Sequence, residues 1–265
     1  MRKETLAGHP TVTVGNGPNR LLIIPGLNDP LMRVTETFWF ARIVAAYCNR
    51  YAANHTVSMV SRPVGVETQS TEEMADGYAA VLEETGPAAV MGLSMGGFIV
   101  QHLAAARPDL VTGAILGLSA AKLSDAGHET IARWRDWGRA NQWNSIYCEA
   151  VDAVATGLLR RGFSLGARGY DFVTRGPRTP ADFIGAAEAC LAHDATELLP
   201  EIEVPTLTVG GTADPFFAER DFRETAERLG GEGEILLGIG HEAVIHHAAA
   251  FDEPINCFLG RGAQF

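Results

Sequence analysis

Short, uninterrupted apolar runs alternate along most of this chain with longer stretches whose apolar positions recur at helical spacing. Runs that are apolar at every position are what strands buried on both faces of a parallel sheet require. Residues 20–24 and 88–93 read as such runs, 56–61, 113–118, 206–209 and 234–237 read as further strands, and 11–14 alternates like an edge strand. Helices are expected over 38–47, 70–84, 98–106, 218–229 and 244–258. Ser70-Thr71-Glu72-Glu73 has helix-start chemistry, and Gly86-Pro87 ends the helix it begins. Strand, helix and strand in repeated order, with short connections, imply right-handed crossovers and a parallel sheet.

Between residues 119 and 198 the rhythm changes. Helices are expected over 131–143, 150–161 and 181–192, and no strand is evident. Insertions of this length inside a compact domain are normally functional, so 119–198 reads as a helical cap over a site. Residues 1–118 and 199–265 then form one α/β core. A separate helical domain fits less well, because the sheet pattern resumes afterwards.

Composition narrows the function. The 265 residues include 46% hydrophobic and 20% charged positions, ordinary for a folded domain. A net charge of −11 argues against nucleic acid and anionic membrane surfaces, which attract basic faces. Lys3 and Lys122 are the only lysines, so Schiff-base or phosphate-loop chemistry has almost nowhere to reside, and neither Gly-rich nucleotide motif occurs. Cys48, Cys148, Cys190 and Cys257 lie far apart, consistent with free thiols. The segment Met1–Thr5 lacks the apolar stretch of a signal peptide, and no apolar run reaches membrane-spanning length. A cytoplasmic protein without metal or cofactor is expected.

The strand expected over 88–93 runs into Gly92-Leu93-Ser94-Met95-Gly96-Gly97. Gly-x-Ser-x-Gly between a strand and a helix is the nucleophile-elbow pattern, in which the serine stands on a sharp turn. Its hydroxyl is lifted clear of the sheet, and the Met95 N–H points where an oxyanion would form. A Cβ two residues to either side would collide as strand packs on helix. These residues resemble the α/β-hydrolase family, and Gly-Leu-Ser-Met-Gly-Gly is similar to its small esterase and enol-lactonase branch. The resemblance implies a mostly parallel sheet flanked by helices, with the helical cap as an insertion.

A serine hydroxyl needs a base to take its proton and a third group to orient that base. Asp214 and His241 each follow an expected strand, in the order serine, acid, histidine. The other histidines lie in helices, early loops or the cap, and His241-Glu242 followed by His246 is one residue too long for the helical zinc motif. Asp194 and Glu219 are weaker candidates for the acid, since neither directly follows a strand. The resemblance makes the Leu27 N–H the second oxyanion donor. Pro25-Gly26-Leu27 stands where the family has His-Gly-x, with Pro25 in place of the common histidine. That leaves open what supports the loop. Asn28 borders it, as a substrate contact or as a turn former.

Phe38 and Trp39, with Trp134, Trp137 and Trp143 of the cap, are candidate pocket walls, although such aromatic spacing serves core packing more often. The expected activity is hydrolysis of a small carboxylic ester or lactone through an acyl-enzyme on Ser94. Carbon–carbon hydrolysis, acyl transfer and perhydrolysis use the same triad, and a ligand-binding receptor on this fold is the non-enzymatic alternative. The expected partner is a small-molecule ester or lactone, with a homodimer left open.

Overall fold

A computed structural model of the chain describes residues 1–32, 38–66, 69–154 and 179–262. The side chains of Phe38 and Trp39, and the expected helix beyond residue 154, fall outside the described residues. Eight strands form one sheet: β1 (Arg2–Leu6), β2 (His9–Val14), β3 (Asn19–Ile24), β4 (His55–Val60), β5 (Ala88–Leu93), β6 (Val111–Gly117), β7 (Thr206–Gly211) and β8 (Glu232–Leu236). Their spatial order is β1-β2-β4-β3-β5-β6-β7-β8. The pairs β1–β2 and β2–β4 are antiparallel, and the rest of the sheet is parallel.

Along β3 the side chains divide by parity between two cores. Leu22 and Ile24 face one that also holds α3 (Thr71–Thr85), α4 (Met95–Ala106) and α8 (Glu219–Arg228). Leu21 and Ile23 face the other, with α2 (Phe38–Cys48) and α10 (Ala248–Gly262). Helices therefore cover both faces, as an apolar parallel sheet demands. The remaining helices are α1 (Asp29–Met32), α5 (Asp125–Arg139), α6 (Trp143–Val154), α7 (Pro180–Ala192) and α9 (Ala243–His246). Between β6 and β7 no strand occurs among the described residues, and Ile131, Trp134, Trp143, Ile146 and Phe183 there are continuous with the first core.

The helix start at Ser70 is a full capping box. Ser70 Oγ accepts the Glu73 amide at 3.1 Å, and Glu73 Oε2 accepts the Ser70 amide at 2.7 Å.

Several elements depart from the pattern-based expectation; β8, for one, ends at Leu236 with Glu232, Gly233 and Glu234 exposed and Leu237 outside it. Strand β1 is mostly exposed and polar, so it carries no apolar signal; it is held by a two-residue turn whose Ala7 and Gly8 both have positive φ. The helix expected over 131–143 is two helices, broken where Asn141 adopts φ 56°, a left-handed conformation that asparagine tolerates. The helix expected over 244–258 is likewise divided at His247, with φ −124° and ψ 37°, into α9 and α10.

Candidate active site

The order of the strands brings the chemistry together. Strand β3 pairs with β4 on one side and β5 on the other, the reversal of strand order that opens a crevice beyond the carboxyl ends. Ile24 is opposite Gly92 in the register, so the loop after β3 emerges beside the turn after β5.

Ser94 occupies that turn with φ 53° and ψ −121°, a strained conformation for a residue with a Cβ. It is half-buried, and its amide donates to Gly117 O at 2.9 Å. The residue after Gly117, Leu118, also has a positive φ, 52°, and donates its amide to Val209 O at 2.7 Å. The glycines have the expected steric cause. A Cβ on Gly92 would lie 2.3 Å from Gly96 C, and one on Gly96 would lie 2.2 Å from Ile24 O. Strand, elbow and helix α4 touch through bare backbone.

The loop after β3 touches Ser94 as well, since a Cβ on Gly26 would be 3.2 Å from Ser94 Cβ. Leu27 and Met95 are both buried beside the serine's turn. The Met95 amide opens α4 and so has no carbonyl one turn back to bond. Asn28 is exposed, and its carbonyl accepts the Leu31 amide at 3.0 Å.

Asp214 and His241 follow β7 and β8, adjacent strands at the far side of β6. His241 originates three strands from β5, roughly 14 Å at the usual strand spacing, so its loop must fold back across the sheet end. It does so through backbone contacts: Ala213 N donates to Ile239 O at 3.0 Å, Thr212 N to Leu236 O at 3.1 Å, and Gly238 N to Thr212 Oγ1 at 2.8 Å. Gly211 allows the approach, because a Cβ there would lie 2.1 Å from Ile239 O. His241 Nδ1 then sits 2.7 Å from Asp214 Oδ2, with the carboxylate fully buried and the imidazole 11% exposed.

Two phenylalanines missed in the sequence complete this corner. The Phe216 ring stands edge-on to His241 at 4.7 Å between centroids, and Phe217 lies nearly parallel to it at 6.3 Å. Phe-Phe directly after Asp214-Pro215 was the available signal. Trp134 is edge-on to Phe216, while its indole N–H donates to Glu149 Oε2 at 2.7 Å. Trp143 is buried edge-on against Phe183, and Trp137 lies under the Arg133 guanidinium. Arg62 is the other residue missed, and it was legible only as the end of a strand before Pro63. Among the described residues, no three His, Cys, Asp or Glu side chains gather as a metal site would need, and no helix is long and apolar enough to cross a membrane.

A family model described as Serine aminopeptidase, S33 (Hydrolase_4) matches residues 67–245. The pimeloyl-[acyl-carrier protein] methyl ester esterase of Neisseria meningitidis serogroup B is 30% identical, over 72% of this chain and 75% of that protein. Polyketide synthase ThaQ of Burkholderia thailandensis is 28% identical over 97% of this chain, which spans only 12% of that much longer protein. Among solved structures, an α/β hydrolase from a Medee basin deep-sea metagenome superposes with a TM-score of 0.81 at 16% identity, covering 98% of this chain and 97% of its own. The enol-lactonase of Burkholderia xenovorans gives 0.75 at 18%, covering 98% and 100%. At such identities the structural likeness is one of fold. The chain belongs to the α/β-hydrolase family, as the elbow sequence suggested.

Proposed function

We propose that this hydrolase cleaves a small carboxylic ester or lactone through an acyl-enzyme on Ser94. The observation that carries this reading is the 2.7 Å contact of His241 Nδ1 with a buried Asp214 carboxylate, at the sheet end where Ser94 is raised on a left-handed turn. Held by Asp214, His241 presents Nε2 as the base. It takes the Ser94 proton as Oγ attacks the carbonyl carbon, and the Leu27 and Met95 amides receive the oxyanion. Collapse expels the alkoxide, which leaves with the proton from His241. Water, deprotonated by the same imidazole, then releases the acid. The helices between β6 and β7 act as a cap, with Trp134 reaching the triad through Phe216. Four unpaired cysteines fit a cytoplasmic setting.

A second reading concerns the acyl group. One relative is named for a methyl ester on an acyl-carrier protein, and the other is a polyketide synthase matched over nearly all of this chain. The first name favours a substrate whose acyl chain is presented on a carrier.

The test is turnover of nitrophenyl esters from acetyl to decanoyl, simple methyl esters, enol-lactones and acyl thioesters of N-acetylcysteamine, with wild type beside Ser94→Ala. Ester or lactone hydrolysis that vanishes in the variant supports the proposal, and preference for the thioesters supports the carrier reading. Turnover that survives Ser94→Ala contradicts both, and tight ligand binding without turnover indicates a receptor.

A further inference from the structure

Arg62, two residues beyond the end of β4 at Val60, is only 9% exposed and is bound to the loop that carries Leu27. Its Nη1 donates to Pro25 O at 3.2 Å and its Nη2 to Gly26 O at 2.9 Å. Its backbone amide donates to Asp29 Oδ2 at 2.8 Å. One residue thus holds three points of the segment from Pro25 to Asp29. Asp29 is buried beside Arg62, and burial pushes its carboxyl pKa up, against the pull of the guanidinium.

The geometry at Gly26 gives these bonds a chemical consequence. The Gly26 carbonyl and the Leu27 N–H are the two ends of one planar peptide unit, so fixing the carbonyl fixes the direction of the N–H. A charged donor on that oxygen also draws electron density from the amide and strengthens it as a donor. The same oxygen accepts the Asp29 amide at 3.2 Å, which adds to the effect. Two successive carbonyls suit the fork of a guanidinium; the compact charge of a lysine cannot span them in the same way. Nothing else in the described hydrogen bonding holds the Pro25 carbonyl, and Pro25 itself has no amide with which to anchor the loop.

We propose that Arg62 is the positioning residue of the oxyanion hole, orienting and polarising the Gly26–Leu27 peptide toward the charge that develops on the substrate. This rests on the reading of Ser94 as nucleophile and Leu27 as donor. Arg62 takes the supporting role left open by Pro25, and it does so from the loop that follows the neighbouring strand β4.

The experiment compares wild type, Arg62→Lys, Arg62→Ala and Ser94→Ala on whichever ester the wild type turns over best. It reads kcat and KM, the affinity of an alkyl boronic acid that becomes a tetrahedral anion on the serine, and thermal melting. Arg62→Ala is expected to lose on the order of 10²-fold in kcat, approaching the cost of removing one oxyanion donor, with KM changed by less than about threefold. Boronate affinity should fall in parallel with kcat, because both report binding of the tetrahedral anion. Added guanidinium should partly restore the Ala variant, and Arg62→Lys, which keeps the charge and loses the fork, should fall between. Should Arg62→Ala fail to fold, the Lys variant decides. Folded variants with wild-type kcat, or with reduced kcat and unchanged boronate affinity, would overturn the proposal. Turnover persisting in Ser94→Ala would instead overturn the nucleophile on which it rests.

Discussion

Asp214 meets His241 with only one of its two carboxylate oxygens. Oδ2 faces His241 Nδ1 at 2.7 Å, whereas Oδ1 accepts the amides of Phe216 at 2.8 Å and Phe217 at 3.2 Å. The carboxylate is therefore locked by its own loop, and from that fixed position it orients the imidazole.

Asp214→Asn separates these two tasks. Its carbonyl oxygen can keep the Phe216 and Phe217 amides, while its NH₂ turns to His241 Nδ1 and enforces the unproductive tautomer. The expected loss in kcat is on the order of 10⁴, with melting temperature and KM little changed. Steady-state kinetics with calorimetry checks this, and a loss below about tenfold would contradict the role of Asp214.

The elbow glycines predict a steep steric asymmetry. Gly92→Ala places a Cβ 2.3 Å from backbone that cannot withdraw, so destabilisation at or beyond the ~3 kcal/mol end of overpacking is expected. Gly260→Ala, in α10 with open space around the new Cβ, should instead gain about 0.5–1 kcal/mol from helix propensity. Urea denaturation of the two variants measures the contrast, and equal stabilities would show that the elbow is not packed as described.

His193 makes the fold acid-sensitive. Gln101 Nε2 donates to Ala120 O at 2.9 Å, which turns its carbonyl oxygen to His193 Nε2 at 3.3 Å and makes that nitrogen the donor. His193 Nδ1 accordingly accepts from Thr71 Oγ1 at 2.9 Å, so the buried ring is held neutral. Burial, with His102 nearby, lowers its pKa from 6.5 to about 3. In the unfolded chain the ring binds a proton below about pH 6.5, whereas in the fold it does not until about pH 3, so stability is lost as pH falls through that window. The unfolding equilibrium should shift by up to tenfold per pH unit from this residue. His193→Gln should be less stable at neutral pH and flatter in acid. Asp194 next to it does not blur the comparison: burial raises its pKa, but Lys122 and Thr196 outweigh that and leave it at about 2, so it acts at lower pH. Urea titrations from about pH 7.5 to about pH 4.5 would show the difference, and parallel pH profiles would contradict it.

What was legible in the sequence follows from how each feature is encoded. The central parallel strands were the most readable, because burial on both faces favours runs apolar at successive positions, as in Leu21, Leu22, Ile23 and Ile24. The capping box at Ser70 and the steric demands on Gly92 and Gly96 are local, so a few adjacent residues carry them. Strand β1 was invisible because its faces are both exposed and its pairing depends on a turn at Ala7-Gly8. Arg62 was equally silent. Its partners Pro25 and Gly26 lie some 36 residues away, and only the parallel pairing of β3 with β4 brings them together. A conformational break at His247 likewise leaves no mark in the apolar spacing on either side of it.

The most direct test of the central claim is to treat the protein with a fluorophosphonate and locate the adduct by peptide mass spectrometry. Stoichiometric labelling of Ser94 with matching loss of ester turnover is expected, together with neither label nor turnover in a folded Ser94→Ala. Label on another residue, or turnover that outlasts complete modification of Ser94, would contradict the assignment of Ser94 as the nucleophile.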